Sequence, residues 1–179
     1  MFSRIALAAT LSIPLAVSST VAQSAPTPDV GAGPNHRPGA PFRAKLSPPL
    51  AEGTTLVVKG HVRDADSGAG LVRAVLDVYQ ADHTGRYDQR GYDYRARLLS
   101  DEQGYFELET IVPSNYGPPP HIHMIVTAAG YRALRTEMRL RDEQHPKNDR
   151  PELTPELVER KRGEQSYLEG TFDLRLRRK

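Results

Sequence analysis

From Thr54 onward the chain is a succession of short runs rich in β-branched and aromatic residues, each closed by glycine, proline, aspartate or asparagine. Such punctuation leaves little room for long helices. The runs are Thr54 to Arg63, Leu71 to Gln80 with Val75, Leu76 and Val78, Gly104 to Val112, His121 to Ala128, Ala133 to Arg141 and Gly170 to Arg177. In the last, Phe172, Leu174 and Leu176 alternate onto one face. Strands at this spacing predict an all-β fold, an antiparallel β-sandwich. One short helix is expected over Pro155 to Arg162, with Thr154 as N-cap and Pro155 at the first helical position. The 179 residues contain no cysteine, so apolar burial alone must hold the sandwich, and thiolate metal sites and cysteine nucleophiles are excluded.

The first fifty residues follow other rules. Met1 to Arg4 is a short basic start, Ile5 to Val17 an apolar run, and small residues continue to Ala22 and Ala25. This reads as a secretory signal peptide over residues 1–22, cleaved near Ala22. Thr10, Ser12 and Pro14 interrupt the run, which falls short of the roughly 20 apolar residues of a membrane span. No Arg-Arg pair precedes it, so twin-arginine export is not expected. The mature protein is expected to be soluble and periplasmic or secreted. Residues 23–52 hold seven of the 15 prolines and read as a Pro-rich arm or linker, leaving 53–179 as the sandwich. A net charge of +2, reduced by one when the leader carrying Arg4 is removed, implies no nucleic-acid partner.

Tyr116 to Val126 carries the chemistry. His121 and His123 stand two apart at the start of an apolar strand, so both imidazoles point the same way and can grip one metal ion, which a nearby phenol such as Tyr116 can join. That donor mixture suits ferric iron. A zinc site would need a third ligand, for which His61 and His83 are the candidates. Tyr79, Tyr92, Tyr94, Tyr105, Tyr131 and Tyr167 read as packing residues, and His36 and His145 as surface. A copper site using a histidine at the mature N-terminus is disfavoured, because no histidine lies near the cleavage point. Glu159–Arg162 and Arg175–Lys179 read as solvated faces, and Asp64–Gly68 as a plain turn rather than a calcium loop.

Gly60-His-Val-Arg-Asp64, Ala74 to Tyr87, Gly104 to Tyr116 and Pro120-His121-Ile-His123 together resemble the intradiol ring-cleavage dioxygenases over about residues 54 to 140. The resemblance implies a prealbumin-like β-sandwich and a mononuclear non-haem Fe(3+) centre held by Tyr87, Tyr116, His121 and His123. It places Tyr116 and His123 axially, Tyr87 and His121 equatorially, and hydroxide in the fifth position. A catechol would bind as a dianion through both oxygens, with Tyr116 among its proton acceptors. O2 would then open the ring between the two hydroxyl-bearing carbons. Ferric iron, a hard Lewis acid, favours phenolate oxygens whose free pKa is about 10.

The chain departs from the family pattern at two places. Pro118 stands where an arginine is usual and Glu137 where a glutamine is common, changes that disfavour a carboxylate-bearing substrate. Arg90, Arg95 and Arg132 are the candidates for a replacement cation. The loop from Tyr116 to His121 is short for the family, which implies a more open pocket. The chain lacks the sizeable helical N-terminal segment that dimerises some members of the family, and its Pro-rich arm could instead pack against a partner subunit in a homo-oligomer, whose existence the sequence leaves open. The rival reading is a non-catalytic, transthyretin-like carrier of an aromatic ligand or metal, which the pattern Gly60 to Val78 also suits.

Overall fold

The computed structural model describes residues 25–141 and 150–179; the expected signal peptide (1–22) and His145 lie outside the described residues. Nine strands form two sheets: β1 (Thr55–Asp64), β2 (Val75–Gln80), β3 (Arg95–Leu99), β4 (Tyr105–Ile111), β5 (His121–Thr127), β6 (Leu134–Arg139), β7 (Leu157–Arg162), β8 (Gln165–Thr171) and β9 (Leu174–Leu176). One sheet runs β4-β1-β8-β7 with β9 beside β1, and the other runs β3-β2-β5-β6. Their facing sides supply one core, in which Leu56, Val58 and Leu108 meet Leu76, Val78, Ile122, Met124 and Val126. Among the described residues no helix is long and apolar enough to cross a membrane.

Two expectations are corrected. The second sheet is antiparallel throughout, but in the first β1 runs parallel to both β8 and β9. The helix expected over Pro155 to Arg162 is absent. Thr154 closes a short 3-10 turn at Pro151–Leu153, and Leu157–Arg162 forms a hairpin with β8. Gly163, at φ +65°, makes the reversal between Arg162 and Gln165, a backbone geometry glycine supplies without strain. Cross-strand charge favours the strand further: Arg160 reaches Glu169 at 3.4 Å and Arg162 reaches Glu109 at 3.3 Å. β7 is thus a charged edge strand, which discourages further sheet pairing.

The described part of the Pro-rich segment, from Ala25, forms no strand but lies against its own sandwich. Thr27 and Val30 donate backbone hydrogen bonds to Arg175 and Arg135, Pro41 accepts one from Arg97, and Leu46 donates one to Glu109. Ala40 and Leu46 are fully buried. The segment therefore crosses the outer face of the β3-β2-β5-β6 sheet and continues to β4. A chain with few apolar side chains is held there mainly by backbone hydrogen bonds to the strands.

Candidate metal centre

β5 is buried on both sides. Ile122, Met124 and Val126 enter the core, while His121 and His123 face outward yet are only 7% and 5% exposed. Their cover comes from distant segments. The Tyr79 ring, on β2, stacks on His123 with centroids 4.8 Å apart and planes 19° from parallel, and its hydroxyl donates to Ala32 O in the arm. Gly33 sits directly over the same imidazole: a Cβ there would lie 3.1 Å from His123 Cε1, and its φ is +68°. Only glycine meets both demands.

The structure brings together all four residues singled out by the sequence. Tyr87, on the loop after β2, places Oη 3.2 Å from Tyr116 Oη. Tyr116 Oη is 3.2 Å from His121 Nε2, which lies 3.0 Å from His123 Nε2. Tyr116 belongs to the strand-free segment before β5 and is 44% exposed, so it forms the open side of the cluster. Neither zinc candidate is near: His61 pairs with Asp173 on β1, and His83 with Glu52.

The protonation pattern shows that this cluster fits a cation. Pro119 O can only accept, so the His121 Nδ1 that meets it at 2.8 Å carries the proton and leaves Nε2 bare. The contact between the two Nε2 atoms then needs a proton from His123, whose Nδ1 is left buried without a hydrogen-bond partner. A cation at the centre resolves this, because both Nε2 lone pairs face it and the His123 proton moves to Nδ1. There it meets Glu137, whose Oε2 lies 3.8 Å away. Glu137 belongs to the one histidine–acid group of this kind among the described residues, with His121 and His123. Its Oε1 is bound to Arg139 at 2.7 Å. That position behind His123 suits it to orienting the imidazole rather than holding the metal.

Electrostatics agree. Burial, aided by neighbouring His121, pushes the His123 pKa down to about 4, so the ring is neutral and available as a ligand near pH 7. Burial, then the hydrogen bond shared with Tyr116, which favours the protonated form, pushes the Tyr87 phenol upward, so a nearby cation is needed to ionise it. Arg95 opposes that rise from 5.9 Å above the Tyr87 ring and also lies 5.6 Å from the Tyr79 ring. It is 2% exposed and donates to Asn35 O at 2.7 Å and Asp88 O at 3.1 Å. Arg95 therefore ties the arm to the residue following Tyr87, behind the cluster.

The other two candidate cations stay outside it. Arg90 is exposed, and Arg132 lines a separate cavity. Pro118 is exposed at the open side. His36, expected at the surface, is instead half-buried, 3.1 Å from Asp77 and tilted against Tyr79. Sequence reasoning assigns Tyr79 only a packing role and offers no signal for Gly33 beyond its place in the proline-rich stretch, which is expected to be an arm or linker.

A family profile described as Dioxygenase matches residues 33–178. The match extends over both sheets and begins at the glycine that covers His123, and the chain belongs to the intradiol ring-cleavage dioxygenase family. A catechol 1,2-dioxygenase of Acinetobacter baylyi is 28% identical over 165 residues, covering 70% of this chain and 53% of the relative. The chain spans about half the length of such curated relatives. The dioxygenase domain of a dioxygenase carbohydrate-binding protein fusion from Streptomyces sp. SirexAA-E is 33% identical, with a TM-score of 0.73, covering 87% of this chain and 100% of that one. A 3-chlorocatechol 1,2-dioxygenase of Rhodococcus opacus 1CP superposes with a TM-score of 0.76 at 26% identity, covering 83% of this chain and 71% of that one.

Proposed function

We propose that this protein is an iron(III)-dependent intradiol dioxygenase, working outside the cytoplasm, that opens a catechol between its hydroxyl-bearing carbons. The carrying observation is the convergence of Tyr87 Oη, Tyr116 Oη, His121 Nε2 and His123 Nε2. Two phenols and two imidazoles form a hard donor set suited to ferric iron. Catechol and O2 combine into a muconate-type diacid that keeps every atom of both, so no external reductant is consumed. Bound iron(III) would supply Lewis acidity, lowering the pKa of coordinated hydroxyls and activating the catecholate toward O2.

The chain's residues divide the remaining work. His121 and His123, buried on β5, and the half-buried Tyr87, with Arg95 over its ring, form the fixed part of the site. Tyr116 is exposed and lies outside the strand ladder, so its Oη can leave the cluster and take a proton from an entering catechol. The stacked Tyr79 and the Gly33 backbone shut water from the back of His123. With Pro118 at the open side and Glu137 neutralised by Arg139, no described residue of the cluster offers a free cation to a substrate carboxylate. Uncharged catechols are accordingly the favoured class. A non-catalytic carrier has no need for two phenols and two imidazoles around one point, and family membership weighs against it.

The test is the visible absorption of the iron-loaded protein, first without oxygen and with catechol, then with O2 admitted. A tyrosinate-to-iron charge-transfer band that shifts with catechol, followed by uptake of one O2 per diacid formed, is expected. A protein that takes up no ferric iron, or binds catechol without consuming O2, would overturn the proposal.

A further inference from the structure

A cavity of about 570 Å³ lies between the start of the described arm and the β6–β9 end of the sandwich, with Arg132, Arg135, Arg175 and Arg177 in its wall. Leu174 and Leu176 are buried in the core, and strand alternation sends Arg175 and Arg177 to the opposite side. The three contributing segments are fastened together. Arg132 N donates to Arg177 O at 2.9 Å, Thr27 N to Arg175 O at 3.1 Å, and Arg175 N to Thr27 Oγ1 at 2.9 Å.

One acid, Asp29, faces these four cations, and its carboxylate is engaged with Arg135 at 3.3 Å. The guanidinium groups of Arg132, Arg175 and Arg177 make no ion pair or hydrogen bond with any described residue. The chain as a whole carries a net charge of only +2, so three arginines without a charged partner in the wall of one concavity are a local concentration that the composition does not require. Like charges held together repel, and a bound anion relieves that repulsion. The remaining walls include Pro26, Pro28 and Leu134. A volume in the usual range of ligand sites with apolar walls calls for an organic body as well as charge. A lone inorganic anion would leave most of it unfilled.

We infer that this cavity binds a small dicarboxylate with an apolar skeleton, its carboxylates received by the guanidinium groups of Arg132, Arg175 and Arg177. Guanidinium presents a planar fork of donors that pairs with carboxylate through two parallel hydrogen bonds. The site is separate from the metal centre. On the β5–β6 ladder Arg135 pairs with Ile125, whereas the cluster uses His123 opposite Glu137, and no cavity arginine touches a candidate metal ligand.

Isothermal titration of the iron-loaded full chain with benzene-1,3-dicarboxylate tests this, with benzoate and sulfate as comparison ligands. One molecule should bind per chain, at least tenfold tighter than benzoate or sulfate, weaken with ionic strength and leave the iron absorption band unmoved. The double variant Arg132→Ala/Arg177→Ala should weaken binding at least tenfold, with melting temperature and absorption band retained. Arg132→Lys/Arg177→Lys, which keeps the charge, should lose part of the affinity and serves if the alanine pair fails to fold. Equal binding of the three ligands, binding that survives the substitutions, or a dicarboxylate that displaces catechol and shifts the band would each overturn the inference.

Discussion

The two faces of β5 are built by opposite rules. Toward the core, Ile122, Met124 and Val126 are each fully buried among apolar side chains from both sheets. Toward the outside, His121 and His123 are buried almost as well, but by single polar or aromatic groups from the arm, β2, β6 and two loops. The inner face is redundant: many weak contacts share the load, and loss of one side chain lowers stability without changing what the molecule does. The outer face has no redundancy, since each donor atom is placed by one or two partners. Damage there should register in chemistry before it registers in folding.

Substitution on each side tests this contrast most strongly. His123→Ala should abolish iron binding and ring cleavage, read by metal content and O2 uptake, while the metal-free protein unfolds at nearly the wild-type denaturant midpoint. Met124→Ala, one residue away, should cost about 3 kcal/mol of stability yet retain the iron absorption band below its melting point. A reversed pattern would mean that the outer cluster is a structural polar network.

Acid should reveal the same asymmetry. Folding holds the His123 pKa at about 4, against an ordinary value of 6.5. Between those pH values the unfolded chain binds a proton that the folded one refuses, so stability is full above pH 6.5 and falls as pH drops toward 4. The loss in metal-free protein is roughly 3 kcal/mol at most, measurable by urea unfolding at pH 7 and pH 4.5. His123→Gln should remove that portion of the slope. The smallest effect is expected at the lid: Gly33→Ala must accommodate a Cβ 3.1 Å from His123 Cε1 at a φ of +68°. It should cost about 1–2 kcal/mol and weaken iron binding several-fold, seen by competition with a chelator.

These contrasts also explain what could be read in the sequence. β1, β2, β4, β5 and β6 announce themselves because alternating apolar residues meet glycine-bearing turns, and the closing Phe172, Leu174 and Leu176 are all buried as their pattern requires. β3 is hard to read from sequence: Arg95-Ala96-Arg97-Leu98 alternates, with Ala96 and Leu98 turned to the core, but five residues with two arginines and a small alanine carry little apolar signal. Its two arginines are instead spent on arm carbonyls, Asn35 O and Ala40 O. β7 was taken for a helix because Thr154-Pro155 mimics a helix start and its charged run gives no apolar period to contradict it.

At the site, His121 and His123 are legible from spacing, and Tyr87 and Tyr116 from the family resemblance. Gly33, Tyr79 and the tie from Arg95 to the arm are not, because Gly33 and Tyr79 act on the distant His123 and Arg95 on the distant Asn35, contacts that no local pattern encodes. The composition of residues 23–52 says nothing of the sheet against which residues such as Ala40 and Leu46 are buried.

The parallel pairing of β1 with β8 and β9 has a kinetic consequence. Leu56 lies beside Leu168 and Val62 beside Leu174, so β1 has two of its neighbours far downstream in the chain. More than a hundred residues must be looped before those contacts close, and the loop entropy is lost before the contacts return anything. The β3-β2-β5-β6 sheet has shorter closures and is free to assemble earlier, leaving completion of the opposite sheet as the late event. The domain should therefore remain open until β8 and β9 are available.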